Sequence, residues 1–582
     1  MEYQHKYRQW LEFPGLDKEM KQELLRISEN EGEIASCFSR ELKFGTGGIR
    51  GRMGVGPSRI NIYVVRKVSE GLARFIQKTG PGKGDPGPSV VIAYDTRHNS
   101  ERFAREAAAV FIHWNIKVYL FKQPAPTPLL SFAVRELDAT AGVVITASHN
   151  PAGDNGYKVY WSDGGQITDG LANAITAEIA AVENELLVRS GQLEKARQEG
   201  LLVMLDEGIF TCYLEHLQAL RLFHRREKLA SLKVVYTPLH GTGAGIIPRA
   251  LQAAGITNLT VVPEQATADP SSWTIKYPNP EDWDVFALAI QWGERNGADL
   301  LLATDLDADR LGVAVRDPKN RFIPLTGNQL GGLLLEYVLS RKKETGDLPL
   351  NGIVIKTVVT SEIGRAIAAS YGLETLETLT GFKYIGEKIK ELVDTGEKTF
   401  LFGYEESCGY LLGDFARDKD AVQASQVTAE MAAFYKNWGM TLIEALEHLF
   451  QKYGYFAEEL INLELAADEM ERVKESMDFF RQAELIKIGE RRIIRRTDYL
   501  SRESLDLLQN TKTPTGLPAT NSLKYFLEGE AWFCIRPSGT EPKLKIYLGV
   551  QETSGEQAHR ELETLKNAVL KLLEKSMTTT HK

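Results

Sequence analysis

Four short clusters hold the residue types needed to move a phosphoryl group. The first is Thr146-Ala147-Ser148-His149-Asn150-Pro151. The apolar run 142–145 before it reads as a buried strand, and Asn-Pro favours a turn. Ser148 is therefore expected on a loop at the mouth of a strand, in an electropositive pocket, where open α/β sheets hold ligands. The second is Asp305-Leu306-Asp307-Ala308-Asp309-Arg310. Three carboxylates at i, i+2 and i+4 on a loop can converge on one hard cation, Mg²⁺ or Ca²⁺. An EF-hand is ruled out, because Arg310 stands where that loop needs Gly and Arg316 where it needs a bidentate Glu. A solvated acidic turn is the plain alternative. The apolar flanks 300–303 and 311–315 count against it, since acids crowded between buried strands repel one another without a cation. A metal held by three carboxylates keeps room for a phosphate oxygen, which a phosphoryl group on Ser148 would supply.

The third cluster, Gly403-Tyr404-Glu405-Glu406-Ser407-Cys408-Gly409, offers carboxylates and a hydroxyl between glycines. Vicinal sugar hydroxyls suit such acceptors, although a surface turn fits as well. In the fourth, Arg536-Pro537-Ser538-Gly539-Thr540, a guanidinium, two hydroxyls and a Gly-opened backbone match a phosphate. Phe44-Gly45-Thr46-Gly47-Gly48-Ile49-Arg50-Gly51 is an anion loop or a plain turn. Lys158 and Lys419 are candidate proton carriers, and His149 a candidate contact for phosphoryl oxygens. No Gly-x-Ser-x-Gly elbow and no Ser-His-Asp order stands out, so acyl hydrolysis is not indicated.

These clusters need rigid elements behind them. Residues 1–40 read as helix with polar breaks, docked through Leu24, Leu25 and Ile27, and 80–88 as a Gly/Pro-rich surface loop. Strand 90–94 is followed by a helix with Ser100 as N-cap and an apolar face of Phe103, Ala107, Val110, Phe111 and Trp114. Strand 118–121 completes a βαβ unit. Helix is expected near 170–200, and further strands at 234–236, 300–303, 352–358 and 399–402. Three times an apolar run opens into a polar loop (146–156, 304–311, 403–409) and returns as a second apolar run. That weak repetition suggests three similar α/β domains, each presenting one loop. The last part differs: strands at 458–465, 532–535 and 544–548, then a helix with Leu562, Leu565, Val569, Leu572 and Leu573 on one face. An antiparallel sheet with helices fits it.

A chain of 582 residues is too long for one core. No stretch approaches the ~18 apolar residues of a membrane span, and the N-terminal residues lead into no apolar signal segment. Cys37, Cys212, Cys408 and Cys534 are scattered singly, without a CxxC pair, which points to a reducing, cytoplasmic setting. With a net charge of −9 and no basic tract, nucleic acid is a poor partner, whereas an anionic small molecule met by local Arg and Lys is not.

Together the motifs resemble the α-D-phosphohexomutase superfamily, most closely the bacterial branch grouped with phosphoglucomutase-2 and phosphopentomutase. The resemblance runs nearly end to end and in family order: the Ser148 loop, the 305–310 metal loop, Thr380-Gly381-Phe382-Lys383 with Glu405-Glu406-Ser407 as sugar loops, and Arg536 to Thr540 as phosphate loop. It implies three related α/β domains and a smaller α+β domain around a cleft, with boundaries at 1–205, 206–320, 321–453 and 454–582. It implies Ser148 as phosphoryl carrier and as a ligand, with Asp305, Asp307 and Asp309, of Mg²⁺. Arg50 and Arg310 would lie near the transferring group, and Lys158 and Lys419 would carry protons. The implied reaction interconverts glucose 1-phosphate and glucose 6-phosphate through glucose 1,6-bisphosphate, with small-molecule sugar phosphates as the partners. Pentose or mannose phosphates are the alternatives within that chemistry. A non-catalytic sugar-phosphate binder and a Ca²⁺-binding structural protein are the alternatives outside it. Tyr404 departs from the pattern of glucose-specific relatives, in which Gly runs directly into Glu; the lack of a His beside Gly381-Phe382-Lys383 tilts away from mannose.

Overall fold

The computed structural model describes residues 2–45, 47–79, 87–267, 273–464, 470–483, 485–537 and 543–578. By contact these fall into two units, 1–355 with 381–443, and 356–380 with 444–582. The 80–88 loop lies almost wholly outside the described residues, as do Thr46, Ser538, Gly539 and Thr540.

The first unit opens with three helices, α1 (Glu2–Glu12), α2 (Lys18–Arg26) and α3 (Glu31–Phe38). Asp17 starts α2 by accepting from the amides of Glu19 and Met20. Leu24 and Ile27 are buried as expected. Leu25 is not: it is 54% exposed, because a neighbour on a helix points about 100° away.

Next come β1 (Gly48–Arg52), α4 (Ile62–Thr79), β2 (Ser89–Tyr94), α5 (Ser100–His113), β3 (Lys117–Phe121), α6 (Thr127–Glu136), β4 (Ala141–Ile145), β5 (Asp154–Trp161), α7 (Asp169–Ala180), α8 (Leu193–Gln198) and β6 (Leu202–Leu205). The sheet order is β1-β5-β4-β2-β3-β6. β2, β3, β4 and β6 run parallel, and β5 and β1 close one side antiparallel. The apolar runs of β2 and β4 are buried throughout, as a strand covered on both faces requires. Ser100 is not the N-cap of α5. Asn99, in the left-handed region at φ 63°, precedes the helix, while the Ser100 hydroxyl donates to the buried carboxylate of Asp95 at 2.6 Å.

A second sheet follows: α9 (Glu207–Gln218), α10 (Arg226–Ala230), β7 (Lys233–Thr237), α11 (Ile247–Ala254), β8 (Asn258–Val261), α12 (Ala287–Asn296), β9 (Leu300–Thr304), β10 (Leu311–Arg316) and β11 (Phe322–Leu325). Its order is β11-β10-β9-β7-β8, parallel across β9-β7-β8 and antiparallel at β10 and β11. The third region comprises α13 (Gly327–Thr345), β12 (Gly352–Thr357), α14 (Ile363–Ser370), β13 (Glu374–Thr378), α15 (Phe382–Thr395), β14 (Thr399–Glu405), β15 (Gly409–Leu411), α16 (Ala421–Asn437) and α17 (Leu442–Tyr453), of which α14, β13 and all but the start of α17 belong to the second unit. Here the strand is longer than the sequence implies. It runs through Gly403 and Tyr404 to Glu405, so only 406–408 remain as loop. Tyr404 is fully buried against Phe402, and Gly331 on α13 leaves room for its ring, since a Cβ there would lie 2.3 Å from it.

The repetition thus has a structural meaning. β4 turns into β5, β9 into β10 and β14 into β15, each an antiparallel return. Each of the three loops holds one non-glycine residue in the left-handed region: Ser148, Ala308 and Cys408.

The second unit carries an antiparallel sheet built from β16 (Tyr455–Glu464), β17 (Lys487–Ile488), β18 (Arg491–Asp498), β19 (Glu503–Asp506), β20 (Thr511–Pro514), β21 (Leu523–Leu527), β22 (Ala531–Pro537) and β23 (Lys543–Glu552), with helices α18 (Met470–Gln482) and α19 (Gly555–Thr578). β16, β22, β23 and α19 match the expected elements, and Leu562, Leu565, Val569 and Leu573 are buried. Leu572 is only partly so. Among the described residues, no helix is long and apolar enough to cross a membrane.

One buried acid sets a pH dependence. Glu430 on α16 accepts from the Leu222 amide (2.8 Å) and the Tyr337 hydroxyl (2.9 Å), while its Oε2 has no partner. Burial raises its carboxyl from 4.5 to about 7. A raised acid means that the folded chain holds this proton more tightly than the unfolded one. Its contribution to stability is complete below pH 4.5 and is lost as pH rises to about 7. Glu430→Gln has no such loss. The variant is expected to match the wild type at pH 5 and to gain about 1–3 kcal/mol on it at pH 8. Melting curves at the two pH values check this; an unchanged offset would refute it.

Candidate active site

The Ser148 loop is held by its own backbone and by one arginine. Gly156 on β5 lies against the Thr146 carbonyl, which a Cβ at 156 would approach to 2.5 Å. The Thr146 hydroxyl accepts from the Ser148 amide at 2.8 Å, which supports the left-handed turn at Ser148, φ 52°. Arg97 then donates to the carbonyls of Ser148 (2.6 Å), Asn150 (2.5 Å), Pro151 (2.6 Å) and Asp154 (3.0 Å). Asp95 lies 3.2 Å from its Nε, and both side chains are fully buried. Burial of Asp95 pushes its carboxyl up, and the adjacent guanidinium opposes that shift. Arg97 and Asp95 hold the Ser148 loop, and the motif reading passed over both. Their signal was present: an acid and an arginine two residues apart at the end of a buried strand.

The acidic loop 305–310 meets Ser148 directly. Ser148 Oγ donates to Asp305 Oδ2 at 2.9 Å and lies 3.3 Å from His149 Nδ1. Asp305 Oδ1 accepts from the amides of Asp309 and Arg310, each at 3.1 Å. Asp307 is fixed by Thr127, whose hydroxyl donates to Asp307 Oδ2 (2.9 Å) and whose amide donates to the Asp307 carbonyl (2.9 Å). One oxygen from each of the three acids lies within 4.8 Å of the others, and all three acids are buried.

Two ammoniums face them. Lys158 Nζ on β5 lies 2.7 Å from Asp307 and 3.3 Å from Asp309, and Lys419 Nζ lies 2.8 Å from Asp309. Lys419 is oriented by Asp418, which accepts its amide (2.8 Å) and the Tyr160 hydroxyl (2.7 Å). Burial and the Asp309 and Asp307 charges push Asp305 well above the usual carboxylate range; Lys158 helps hold Asp307 below it, and Lys419 and Lys158 hold Asp309 below it. Burial first, then Arg310 and Arg50, lower the His149 pKa, so its imidazole is neutral at pH 7.

The remaining predicted residues divide. Arg50 donates to Asn150 Oδ1 at 3.0 Å, and Arg310 pairs with Glu281. Glu405 is buried at the end of β14, bonded to Ser407, and its carboxyl is pushed up to about 7 by burial. Gly381 precedes α15 at φ 117°, and Phe382 is buried. Lys383 is tied to α7, 3.0 Å from Asp169. Thr380 and Arg536 belong to the other unit; Arg536 sits on β22 opposite Lys545.

The acid triad fits a divalent cation on its own geometry. Asp307 Oδ1 and Asp309 Oδ1 are buried with no hydrogen-bond partner, which is costly unless a cation takes them. Three oxygen donors from carboxylates suit a hard ion rather than a soft one.

Comparison with known proteins covers most of the chain. Family models for phosphoglucomutase/phosphomannomutase α/β/α domains I, II and III match residues 41–186, 211–319 and 326–453, and the model for the C-terminal domain matches 460–568. The phosphoglucomutase of Staphylococcus haemolyticus is 36% identical over 526 residues, covering 90% of this chain and 93% of that one. The phosphoglucomutase of Staphylococcus aureus is 36% identical over 527 residues, covering 90% and 91%. Among solved structures, parafusin from Paramecium, a phosphoglucomutase, superimposes with TM-score 0.65 at 17% identity, over 92% of this chain and 95% of its own. A phosphoglucomutase/phosphomannomutase family protein of Burkholderia thailandensis gives TM-score 0.64 at 18% identity, over 92% and 98%. At that identity the likeness concerns the fold, three α/β domains and a C-terminal domain. The chain belongs to the phosphoglucomutase/phosphomannomutase family.

Proposed function

We propose that the protein is a phosphoglucomutase, an intramolecular phosphotransferase that interconverts glucose 1-phosphate and glucose 6-phosphate through a phosphoserine at Ser148. The observation that carries this reading is the 2.9 Å contact of Ser148 Oγ with Asp305, one of three buried acids gathered within 4.8 Å. A lone loop serine has no use for such a neighbour; a phosphoryl carrier does. The name borne by the curated relatives supports glucose as the sugar.

Asp305, Asp307, Asp309 and the Ser148 phosphoryl group would hold Mg²⁺. When bound, that ion draws charge from the phosphorus and assists its transfer. The chain's own groups do the rest. Arg97 fixes the loop backbone, so that the Ser148 oxygen is aimed rather than free. Lys158, 2.7 Å from Asp307, is the proton carrier for the attacking sugar hydroxyl: Asp307 and Asp309 hold it as an ammonium at rest, so it sheds that proton before it accepts the hydroxyl's, and it returns the latter in the reverse half-reaction. Lys419 serves the other orientation of the sugar. Arg50, Arg310 and the neutral His149 line the transferring group with donors. Phosphoryl transfer from Ser148 to O6 gives glucose 1,6-bisphosphate. That intermediate turns within the site, and Ser148 takes back the 1-phosphate. Thr380 to Lys383 and Glu405 with Ser407 bind the sugar, and Arg536, Ser538, Gly539 and Thr540 its distal phosphate.

A substrate panel tests the assignment. Glucose, mannose, ribose and N-acetylglucosamine 1-phosphates are compared with Mg²⁺ and a trace of glucose 1,6-bisphosphate. Glucose 1-phosphate is expected to lead in kcat/KM; a pentose or mannose lead would reassign the substrate, and no turnover would remove the enzyme reading. Arg97→Lys tests loop positioning. It keeps the charge beside Asp95 but loses the planar fork that reaches four carbonyls. An expected fall of about 100-fold in kcat, with little change in KM, matches a misplacement of about 1 Å at the reacting atom.

A further inference from the structure

We propose that Glu136, Cys212 and His216 form a second metal centre, for a thiophilic divalent cation of the Zn²⁺ class, on the first unit and separate from the acid triad. Cys212 and His216 are four residues apart on α9, so they share a face one turn apart. Glu136 ends α6. Cys212 Sγ donates to a Glu136 carboxylate oxygen at 3.5 Å, and one donor atom from each of the three residues lies within 4.8 Å of the others. Zinc bonds of about 2.3 Å to sulfur and about 2.0–2.2 Å to nitrogen and oxygen place tetrahedral ligands roughly 3.3–3.7 Å apart. The donors stand within 4.8 Å of one another, so about 1 Å of side-chain adjustment would bring them to that spacing. Glu136 and His216 are exposed and Cys212 half-buried, so an ion can enter and a fourth position stays open to water.

The donor chemistry separates the two centres. The acid triad is all oxygen and suits Mg²⁺; sulfur, nitrogen and oxygen together suit Zn²⁺. Of the four cysteines, Cys212 alone is not buried. Burial first, then the adjacent Glu136 and Glu215 carboxylates, push its thiol up, and the negative field of those carboxylates attracts a cation. The His216 ring is steadied by packing on Phe132 (centroids 5.2 Å apart) and Phe415 (5.6 Å). On binding, the Cys212 S–H bond breaks, its proton passes to solvent, and the thiolate lone pair goes to the cation. The ion would clamp α9 to the C-terminal end of α6, the helix whose first residue, Thr127, holds Asp307.

The test uses the full chain, stripped with a chelator and dialysed against Zn²⁺ in excess Mg²⁺, so that the acid triad is filled. One equivalent of Zn²⁺ should be retained. Co²⁺ in its place should give a thiolate-to-cobalt charge-transfer band in the near ultraviolet. Cys212→Ser and His216→Gln should each remove or displace that band and weaken retention by about 100-fold or more, at least the loss that follows removal of an outer-shell partner. The proposal is overturned if no Zn²⁺ is retained over Mg²⁺, if no charge-transfer band forms in the wild type, or if either variant retains the ion as well as the wild type does. The wild-type measurements decide the matter even if a variant misfolds.

Discussion

Ser148→Ala is expected to lower turnover by about 10⁴-fold or more, as removal of a covalent carrier does, while the fold stays intact. The backbone argument supports the second half. The Ser148 amide bonds to Thr146 and its carbonyl to Arg97, and neither bond uses the side chain. Alanine pays the same modest cost as serine in the left-handed region. What the substitution removes is the pair of hydrogen bonds that Oγ makes with Asp305 and His149. Circular dichroism should therefore match the wild type, with stability lowered by no more than the about 1–3 kcal/mol of an Asp305 oxygen left without its donor. Labelled phosphate from glucose 1,6-bisphosphate should enter the wild-type chain and not the variant. Near-normal activity in the variant would sink the phosphoserine scheme outright.

The loops that meet at this serine were legible because their residues carry local rules. Asn-Pro after an apolar run forces a turn, and three alternate acids between buried runs need a cation. What could not be read was how they are held. Arg97 lies 51 residues before Ser148 and reaches its carbonyl only because β2 and β4 are neighbours in the sheet. Thr127 grips Asp307 from 180 residues away. Such partners follow from strand order, which no spacing rule supplies. Local signals also erred where tertiary packing overrode them. Ser100 looks like a helix cap, but buried Asp95 needs its hydroxyl. Gly403 and Tyr404 look like loop, but burial of the Tyr404 ring against Phe402 extends the strand. Tyr404, which departs from the usual glucose pattern, is thus a core residue. In the C-terminal domain the strands between 487 and 527 were missed. From β18 to β20 the exposure is mixed, and β20 is exposed along its whole length, so no apolar alternation marks it, whereas β21 is nearly all buried with Lys524 interrupting its apolar run.

The acid triad invites a variant in which stability and function part. Asp305→Asn replaces one of three buried acids with a neutral group of the same shape. Its oxygen can keep the two amide bonds from Asp309 and Arg310, and its nitrogen can donate to Ser148 Oγ where Oδ2 now accepts. Burial and the Asp309 and Asp307 charges already push the Asp305 carboxyl up, so without metal its charged form is disfavoured, a cost that a neutral Asn does not carry. The metal-free variant is therefore expected to melt no lower than the metal-free wild type. With Mg²⁺ the order reverses. The wild type gains stability by binding the ion in its folded form, and the variant, with one ligand charge fewer, loses that gain. Turnover should fall by about 10³-fold, the loss that follows when several kcal/mol of charge stabilisation leave the transition state. Melting curves with and without Mg²⁺, read beside kcat, separate the outcomes. A variant that melts lower without metal would make Asp305 a structural acid. One that keeps both its Mg²⁺ shift and its activity would take the metal away from this loop.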